Sequence, residues 1–586
     1  MVERGAARGP DGTTEVHRDD RSYAFHRLAI QDLARAADQP FFLPDGGSSG
    51  SAGRAAALMC NGEIYNSREL ARRYPRAAAA CRSRSDCEIL LPLWSDELGR
   101  DTEALLGELD GVFALAIDAG RQVHLARDRL GVRPLFYVSH PLFTAVASTP
   151  GPLQELCSGL SGQAESEGLD AHVDGDLGLR IQEVHPRTRI EFDTESGART
   201  IRPAPQERLD WGLSTPNPAR DQDDPDSEVE RPPDSSSAHL FARDGLRILR
   251  AAVAKRLDTD RPLCCLLSGG IDSSAVACLL AEALRPLGRR LATFSIGQPG
   301  SADLLAARRV ADQLGTDHHE VDMCPAEALA CIPAVVADTA TYDVTTVRAS
   351  TPMWMLCRYI ARNTPYRVVF SGEGADEASA GYLYFHHAPP GPAGDRAVEA
   401  ECRRLVASLH EYDVLRADRC MGAHGLELRE PFLDRDLLDW ALALPGAVRR
   451  PRGGTEKLWL RDAMALLADG PGEDRLPLDI VWRRKAAFSD AVSRAVDGPG
   501  ESMWFRQIQA HLAARGEGPA DAETEARAYQ SLFRAAYPHY EPFRPRWLPR
   551  WVRDGGEPSA SVLPGYDHAN GSDGRTNGRT DGRPSK

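Results

Sequence analysis

The string Leu267-Ser-Gly-Gly-Ile-Asp-Ser-Ser274 constrains the fold most, because it joins an apolar run, Leu263 to Leu267, to a helix-like run, Ser274 to Ala283. A strand that passes through Ser-Gly-Gly into a helix points backbone N–H groups and the positive end of the helix at one spot. Gly269 and Gly270 would let a phosphate approach the main chain there. The string therefore predicts a pyrophosphate site, although it is not the Gly-x-x-x-x-Gly-Lys-Ser/Thr loop of the common P-loop proteins.

A second loop of the same kind follows the strand-like run Tyr366 to Phe370 and reads Ser371-Gly-Glu-Gly-Ala-Asp-Glu377. Either loop alone is equally consistent with an ordinary turn whose Asp caps a helix. Two such loops in one open parallel sheet meet at its carboxyl edge. The pair predicts that Asp272 and Asp376 hold one magnesium ion, while Glu373 stays free for the substrate.

Strand-like and helix-like runs alternate around these loops, as a doubly wound parallel sheet requires. Leu291 to Ile296 is predicted as a strand, Ala302 to Leu314 as a helix and His319 to Val321 as the next strand. Ile296 would then cover the face of an adenine beside the phosphate loop. A plain core position is the alternative for this residue.

The N-terminal part of the chain has a different pattern, with short β-like pieces between turn residues. It predicts a β-rich domain with a few helices, from which no nucleophile can be assigned. The pieces are Tyr23 to Ile30, Ala56 to Asn61, Val112 to Ile117, Gln122 to Ala126 and Leu135 to Val138.

Composition indicates a large protein of the cytoplasm. The 586 residues predict two or more domains, and a formal charge of −15 argues against nucleic acid, whose partners carry a basic face. Twelve cysteines without a Cys-x-x-Cys pair favour a reducing compartment over a zinc site. No stretch approaches the roughly 20 apolar residues of a membrane helix, and the N-terminus lacks an apolar signal-peptide core. We therefore expect neither a membrane nor a nucleic-acid partner.

Long motif-like strings are spread over nearly the whole chain. They are Arg8-Gly-Pro-Asp11, Phe25-His-Arg-Leu-Ala-Ile30, Asn61-Gly-Glu-Ile-Tyr-Asn66, Leu109-Asp-Gly-Val-Phe-Ala114, Gly131-Val-Arg-Pro-Leu-Phe136, Thr341-Tyr-Asp-Val-Thr-Thr-Val-Arg-Ala-Ser350, Gly381-Tyr-Leu-Tyr-Phe-His386, Leu415-Arg-Ala-Asp-Arg419 and Pro431-Phe-Leu-Asp434. Together they resemble the strings of the glutamine-dependent asparagine synthetases. Val344-Thr-Thr-Val-Arg-Ala-Ser350 favours aspartate as the substrate over those of the related β-lactam synthetases and peptide cyclases, and Trp547 to Trp551 resembles the eukaryotic form.

The resemblance implies an α/β protein of two domains. An Ntn-type α+β domain, like a type-2 glutamine amidotransferase, would occupy residues 1–202. A doubly wound parallel-sheet domain of the ATP-pyrophosphatase, or adenine nucleotide α-hydrolase-like, kind would occupy residues 238–552. A Pro-, Asp- and Ser-rich stretch at 203–237 is expected to be a disordered linker, and residues 553–586 a disordered tail.

The chemistry implied by the resemblance uses ATP and magnesium. Aspartate would attack the α-phosphorus of ATP to give β-aspartyl-AMP and pyrophosphate, and ammonia would then release AMP and form asparagine. Nitrogen would come from glutamine or from ammonia, and the oligomeric state stays open, a homodimer being one arrangement. The implied residues are Glu373, Arg348, Lys485, Thr345 and Thr346 for catalysis, Leu267, Ser268, Gly269, Gly270, Asp272, Ser273, Ile296, Ser371 and Gly372 for ATP, and Asp272 and Asp376 for the metal.

In the implied glutamine pocket, Arg27 would pair with the substrate carboxylate and Asn61 and Gly62 would form the oxyanion hole. Glu63 and Asp86 would bind the amide and α-amino ends.

The nucleophile of this family is a cysteine after the initiator methionine, where this chain has Val2. The strings predict that the chain begins about thirty residues late, or else that it uses free ammonia. Cys60 is internal and has no α-amine to act as base, so it is not expected to replace the nucleophile. Arg84, where the family has a small residue, favours altered glutamine binding.

Two other functions remain open at this point. One is a ligase that adenylates another carboxylate, like a β-lactam synthetase or a peptide cyclase. The other is a non-catalytic regulatory relative, which the joint presence of the charged residues named above argues against.

Overall fold

The computed structural model describes residues 3–18, 20–43, 56–166, 178–204, 235–468, 475–484, 492–493, 503–542 and 547–551. Lys485, residues 205–234 of the predicted linker and the predicted tail lie outside these ranges. Within them, no helix is long and apolar enough to span a membrane.

Strands dominate the N-terminal part and recur singly between helices further on. They are β1 (Gly12–Arg18), β2 (Arg21–Arg27), β3 (Phe41–Phe42), β4 (Ala57–Ile64), β5 (Gly111–Asp118), β6 (Gln122–Arg127), β7 (Phe136–His140), β8 (Phe143–Ala147), β9 (Gln182–Glu183), β10 (Thr188–Asp193), β11 (Arg199–Pro203), β12 (Leu263–Leu266), β13 (Ala292–Gly297), β14 (Asp317–Asp322), β15 (Val368–Phe370) and β16 (Glu427–Arg429).

The α-helices lie mostly in the C-terminal part. They are α1 (Ser67–Arg73), α2 (Pro75–Ala80), α3 (Leu90–Pro92), α4 (Thr102–Glu108), α5 (Pro150–Ser166), α6 (Ser235–Lys255), α7 (Ile271–Leu284), α8 (Ala302–Leu314), α9 (Pro325–Thr339), α10 (Val344–Asn363), α11 (Ala375–Ala378), α12 (Gly391–Ser408), α13 (Asp413–Gly422), α14 (Arg435–Ala443), α15 (Gly446–Arg449), α16 (Leu458–Ala468), α17 (Leu478–Val481), α18 (Trp504–Ala514) and α19 (Ala522–Ala536).

The N-terminal part is built from antiparallel sheets. Within the described residues, one sheet has the strand order β11-β10-β6-β5-β4-β3, β1 and β2 form a hairpin, and β7 lies between β8 and β9. The predicted strand Tyr23 to Ile30 ends early, at Arg27, because the next residues turn to the C-terminal part: Ala29 O accepts from Arg261 Nε at 2.8 Å and Ile30 O accepts from Asp260 N at 3.0 Å.

The C-terminal part contains the predicted doubly wound sheet. Its strand order is β14-β13-β12-β15-β16, and every pair is parallel. β12 lies at the centre, with β13 and β14 on one side and β15 and β16 on the other. The strand order therefore reverses at β12, and such a switch point is where doubly wound sheets bind ligands. Cys264 pairs with Val369 and Cys265 with Phe370, which brings the two predicted loops side by side.

Both faces of this sheet are buried, which explains why its strands are apolar without alternation. Cys264 and Val369 belong to a core that also holds side chains of α9, α10 and α13. Cys265 and Phe370 belong to a second core with side chains of α6, α7 and α16.

The two ends of the predicted linker lie in regular elements. Pro203 closes β11, where it pairs with Thr188 on the sheet edge that proline tolerates, and Ser235 begins α6. The helix predicted from Ser274 begins earlier, at Ile271, because Ser274 N already donates to Gly270 O at 3.0 Å.

Candidate functional site

A cavity of about 240 Å³ lies at the carboxyl edge of the parallel sheet. It receives residues from both strand-end loops and from the start of α10, as the sequence predicts. The predicted residues that line it are Leu267, Ser268, Gly270, Asp272, Ser273, Ile296, Thr345, Thr346, Arg348, Ser371, Gly372, Glu373 and Asp376. We call it the synthetase cavity.

The first loop is held in place by its own serines. Ser268 N donates to Ser273 Oγ at 3.1 Å, and the two hydroxyls lie 3.0 Å apart. Gly270 N donates to Ser268 Oγ at 3.3 Å. These bonds fix the loop before any ligand binds, with the N-terminus of α7 behind it.

Gly269 does not line the cavity with the rest of its loop, and its expected role toward a phosphate stays a prediction. Its φ is +71°, and an added Cβ would lie 2.5 Å from both Ala306 Cβ and Ala307 N on α8. Glycine is needed here for the left-handed turn and for close packing on a neighbouring helix. Gly270 alone has the predicted position.

A lysine that the sequence did not predict joins the two metal-site candidates. Lys457 Nζ lies 2.5 Å from Asp272 Oδ2 and 2.7 Å from Asp376 Oδ1, and its side chain is fully buried. Asp272 Oδ1 is also buried and has no hydrogen-bond partner in the described part of the chain. The predicted proximity of the two carboxylates is therefore observed, with a cation already between them.

Glu373 is not free, contrary to the prediction. Arg416 Nη2 of α13 lies 2.7 Å from Glu373 Oε2, and Arg416 Nη1 lies 2.8 Å from Asp413 Oδ1. Burial raises the pKa of Glu373 above its ordinary value, and Arg416 opposes that shift. No sequence motif pointed to this pairing, in which Arg416 lies on α13 whereas Glu373 lies in a loop.

Arg348 is buried and paired, which excludes a surface role. It forms a bidentate pair with Glu525 of α19, with Nε 2.9 Å from Oε1 and Nη2 2.5 Å from Oε2. Its guanidinium also lies 4.9 Å from the ring centre of Phe505. The helix α19 thus orients a cavity arginine whose position the sequence identified but whose partner it did not.

The two threonines differ. Asp343 caps the N-terminus of α10, where its Oδ1 accepts from the N–H and from the hydroxyl of Thr346, each at 2.8 Å. Thr345 Oγ1 is buried and has no hydrogen-bond partner among the described residues. Thr345 is therefore the better placed of the two to bind a ligand oxygen.

Further cationic and aromatic side chains line the synthetase cavity without having been predicted. Arg483 and Arg484 directly precede Lys485 in the sequence, and that position was the available signal. Arg461 and Trp547 come from distant segments; Trp547 begins the string that resembles the eukaryotic form, whereas no motif marked Arg461.

A second cavity, of about 320 Å³, lies in the N-terminal part and is lined by all five residues predicted to bind glutamine, together with Cys60 and Cys87. We call it the glutaminase cavity. The five residues are Arg27, Asn61, Gly62, Glu63 and Asp86.

The oxyanion-hole candidates have suitable surroundings. Asn61 Nδ2 is buried and lacks a hydrogen-bond partner in the described ranges. A Cβ on Gly62 would lie 2.2 Å from Val112 O, so only glycine allows β4 to approach β5 here. The Asn61 amide is therefore a donor available to a developing oxyanion, whereas the glycine at position 62 is required by strand packing.

The charged residues of this cavity are tied to the protein. Asp86 accepts from Ile64 N at 2.6 Å, and burial raises its pKa to about 6. Glu63 lies 3.2 Å from Arg429 of β16. Arg27 donates to Ala34 O at 2.7 Å and to Asp38 Oδ1 at 2.8 Å.

Arg84 does not line the glutaminase cavity, and its effect on glutamine binding stays a prediction. Its side chain is 78% exposed and turns toward Asp260, 3.5 Å away. Only its backbone N–H contributes locally, by donating to Asp32 Oδ2 at 2.7 Å.

Cys60 is an internal strand residue held from both sides. Its N–H donates to Gln39 Oε1 at 2.7 Å, and its carbonyl accepts from Gln39 Nε2 at 3.0 Å. Its amide nitrogen cannot act as the base that an N-terminal nucleophile requires.

Two family models match the chain. The asparagine synthase model matches residues 245–393 and 390–551, and the glutamine amidotransferase domain model matches residues 1–185.

Three glutamine-hydrolyzing asparagine synthetases illustrate how far the similarity extends. The Bos taurus protein is 34% identical over 573 residues, the Homo sapiens protein 33% over 579 and the Gallus gallus protein 34% over 572; each match covers 93% of this chain and 92% of the relative. Similarity of this extent spans both cavities and the sheets that form them. The chain therefore belongs to the family of glutamine-hydrolyzing asparagine synthetases.

Proposed function

We propose that this protein converts aspartate to asparagine through β-aspartyl-AMP, with ATP as the activating substrate and glutamine or ammonia as the nitrogen source. The observation that carries the proposal is the synthetase cavity, where two parallel-strand loops, two carboxylates and several cations meet.

ATP would bind with its phosphates at the loop Ser268–Ser273 and its adenine near Ile296. The fixed loop offers backbone N–H groups and the helix N-terminus of α7, both of which favour phosphate. Ile296 is nearly fully buried in the sheet core and also lines the cavity, so its two predicted roles are compatible.

Asp272 and Asp376 would hold magnesium together with the nucleotide. Their carboxylates and the unpartnered Asp272 Oδ1 suit a hard cation, and since no cluster of three metal-binding side chains occurs in the described ranges, phosphate and water would complete its shell. The bound ion would neutralise phosphate charge. Lys457 already supplies one positive charge at the same place.

Arg348 and Lys485 would stabilise the charge that develops as aspartate attacks, and Thr345 and Thr346 would position nearby oxygens. Glu525 holds the guanidinium of Arg348 in one orientation, which removes the need to order it during the reaction.

Glu373 would accept the proton that the attacking nitrogen loses. Its raised pKa suits this role, because a base whose pKa lies nearer the working pH accepts a proton more readily. Arg416 would hold the carboxylate toward the cavity and stabilise its charged form.

The glutaminase cavity would bind glutamine through Arg27, Glu63 and Asp86, with Asn61 and Gly62 as the oxyanion hole. We also propose the division into domains at 1–202 and 238–552, a cytoplasmic location and a homodimer, each of which stays a prediction.

The direct test is asparagine formation by the purified 586-residue chain with ATP, magnesium and aspartate, supplied with ammonium or with glutamine. We expect aspartate-dependent pyrophosphate release and asparagine with ammonium. Asp272→Asn should abolish both, whereas Asp312→Asn, at an exposed position of α8, should abolish neither. Pyrophosphate release that does not depend on aspartate would favour another carboxylate substrate, and no release from folded protein would refute the proposal.

A further inference from the structure

Trp547 lines the synthetase cavity, but the proposed mechanism gives it no role. It begins the segment 547–551, which we call the tryptophan strap. The strap contains neither helix nor strand, so its contacts with other segments hold it in place. Trp547 is half-buried and the next residue, Leu548, is 43% exposed, so one side of the strap faces the cavity and the other faces solvent.

Polar contacts fix the strap near both of its ends. Trp547 N donates to Asp343 Oδ2 at 3.0 Å, and the same aspartate caps α10. Three residues later, Arg550 Nη1 lies 3.1 Å from Oε2 of Glu401, a fully buried side chain of α12. The strap is therefore bound to two separate helices.

The two tryptophans of the strap pack on one aromatic group but reach different places. The ring centre of Trp547 lies 5.7 Å from that of Tyr382 and 6.1 Å from that of Tyr384. The ring centre of Trp551 lies 5.9 Å from that of Tyr384 and 5.7 Å from that of Phe385. Trp547 lines the synthetase cavity, whereas Trp551 does not. Trp551 is therefore a matched reference for the packing of Trp547.

Trp547 lies at the end of the cavity away from the proposed adenine position. Ile296 belongs to β13, on one side of β12, whereas Glu373 and Tyr382 follow β15, on the other side. The Tyr382 hydroxyl donates to Asp413 Oδ2 at 3.0 Å, and Asp413 shares its arginine partner with Glu373. A carboxylic substrate activated between the phosphates and Glu373 would therefore have its far end toward Trp547.

We infer that Trp547 is a specificity-determining residue, whose indole ring closes the substrate end of the synthetase cavity and limits the carboxylic substrate to the length of aspartate. This inference rests on the proposed function. The reacting carboxylate has to reach the α-phosphorus of ATP, so an added methylene pushes the other end of the substrate toward the indole. The anchored strap leaves the ring little room to yield. One methylene in a fitted pocket changes specificity by roughly 10–200-fold.

The test compares the full-length protein with Trp547→Ala on aspartate, glutamate and α-aminoadipate, which lengthen by one methylene at a time. Pyrophosphate release with ATP, magnesium and ammonium gives kcat/KM for each acid. We expect Trp547→Ala to raise the ratio of kcat/KM for glutamate to that for aspartate at least about tenfold. The KM for ATP should stay within about twofold, because Trp547 lies away from the proposed nucleotide position.

The matched control is Trp551→Ala, which removes the same ring from the same aromatic group. A general loss of packing would lower kcat/KM for all three acids together, so this variant should leave the ratio within about twofold. An unchanged ratio in Trp547→Ala, or an equal rise in both variants, would overturn the inference. Trp547→Phe keeps a ring on the strap and should give an intermediate ratio. Where the alanine variant does not fold, an unchanged ratio in Trp547→Phe would overturn the inference equally.

Thermal unfolding measures the same preference without turnover. With α,β-methylene-ATP present, aspartate should raise the Tm of the unmodified chain more than glutamate does. Trp547→Ala should reduce this difference and Trp551→Ala should keep it, and a difference that both variants keep would contradict the inference.

Failure of the proposed function gives a different result. If the unmodified chain releases pyrophosphate with a longer acid and not with aspartate, the proposed function is wrong, and a shift of Trp547→Ala toward still longer acids tests the inferred wall. If the folded chain releases pyrophosphate with none of the three acids, the proposed function is refuted and the differences in Tm decide the inference.

Discussion

At the scale of single residues, the acidic side chains of the synthetase cavity are held in charge pairs with cations from other segments. Lys457 between Asp272 and Asp376, and Arg416 beside Glu373, each neutralise a side chain that the motifs had identified. Both cations come from segments distant in the sequence. The two strand-end loops therefore supply the acidic side chains, and distant segments supply the cations that pair with them.

Lys457→Met should lower kcat/KM for ATP by about 10²–10³, since removal of one positioned charge at a phosphoryl-transfer site has that effect. The variant would leave Asp272 and Asp376 facing each other without a counter-charge, so a higher magnesium concentration should restore part of the activity. Aspartate-dependent pyrophosphate release measures both. The control is Arg309→Met, which removes a cation paired with Asp479 on the exposed surface of α8 and should leave the rate unchanged. A Lys457→Met rate within twofold of the original would contradict the prediction.

At the scale of elements, the parallel sheet buries a neutral histidine between two of its strands. His318 of β14 contacts Thr293 Oγ1 at 2.9 Å and Ser295 Oγ at 3.2 Å on β13, and its side chain is 1% exposed. Burial lowers the pKa of His318 to about 4, and Arg308 acts in the same direction, against Glu320. Protonation would therefore oppose the packing of these strands.

The sign of the pH dependence follows from that shift. Between about pH 4 and pH 6.5, the unfolded chain binds a proton at His318 that the folded chain does not bind. The contribution of neutral His318 to the free energy of unfolding is therefore complete above pH 6.5 and is lost as the pH falls toward 4. His318→Gln should make the fall in Tm over this range shallower by roughly a few degrees, measured by calorimetry. His511→Gln, at an exposed position of α18, should leave the slope unchanged. Identical slopes for both variants would exclude this role for His318.

At the scale of the whole molecule, buried ion pairs join the N-terminal and C-terminal parts. Asp418 of α13 lies 2.7 Å from both Arg8 Nη2 and Arg133 Nη1, and its side chain is 1% exposed. Burial acts to raise the pKa of Asp418, but the two arginines lower it below the ordinary value. The ion pairs of Asp418 therefore stabilise the contact between the two parts fully at pH values above the ordinary carboxyl pKa. This stabilisation is lost as the pH falls through the lowered pKa of Asp418.

Asp418→Asn should destabilise the protein by about 3–5 kcal/mol, because it leaves two guanidinium groups at the contact without a carboxylate. The matched variant is Asp439→Asn, which also breaks a contact between the two parts, at 3.3 Å from Arg129, but with both side chains partly exposed. That change should remove less than about 1 kcal/mol. Differential scanning calorimetry of both variants tests the contrast, and equal losses would disprove it.

Much of the candidate site was predicted from the sequence, because its strand-end loops are local. Ser268 to Ser273 and Ser371 to Asp376 form turns dictated by glycine, serine and the apolar runs before them, and a parallel sheet must bring such loops together. The same reasoning placed the helix Ala302–Leu314 with both of its ends correct. The five glutamine-pocket residues followed from the family resemblance rather than from their own chemistry.

What only the tertiary structure decided is which side chains face one another across distant segments. Sequence patterns do not encode that Lys457 reaches Asp272, that Glu525 holds Arg348 or that Arg84 turns outward, since each depends on how separate helices and loops pack. Gly269 shows the same limit: its left-handed turn was readable, but the helix against which it packs was not. The sequence by itself determined the strands β12 to β15, the strand-end loops and the family, because these depend on local periodicity and motif, whereas β1 and β16 were not predicted. Packing determined the charge state and orientation of the site.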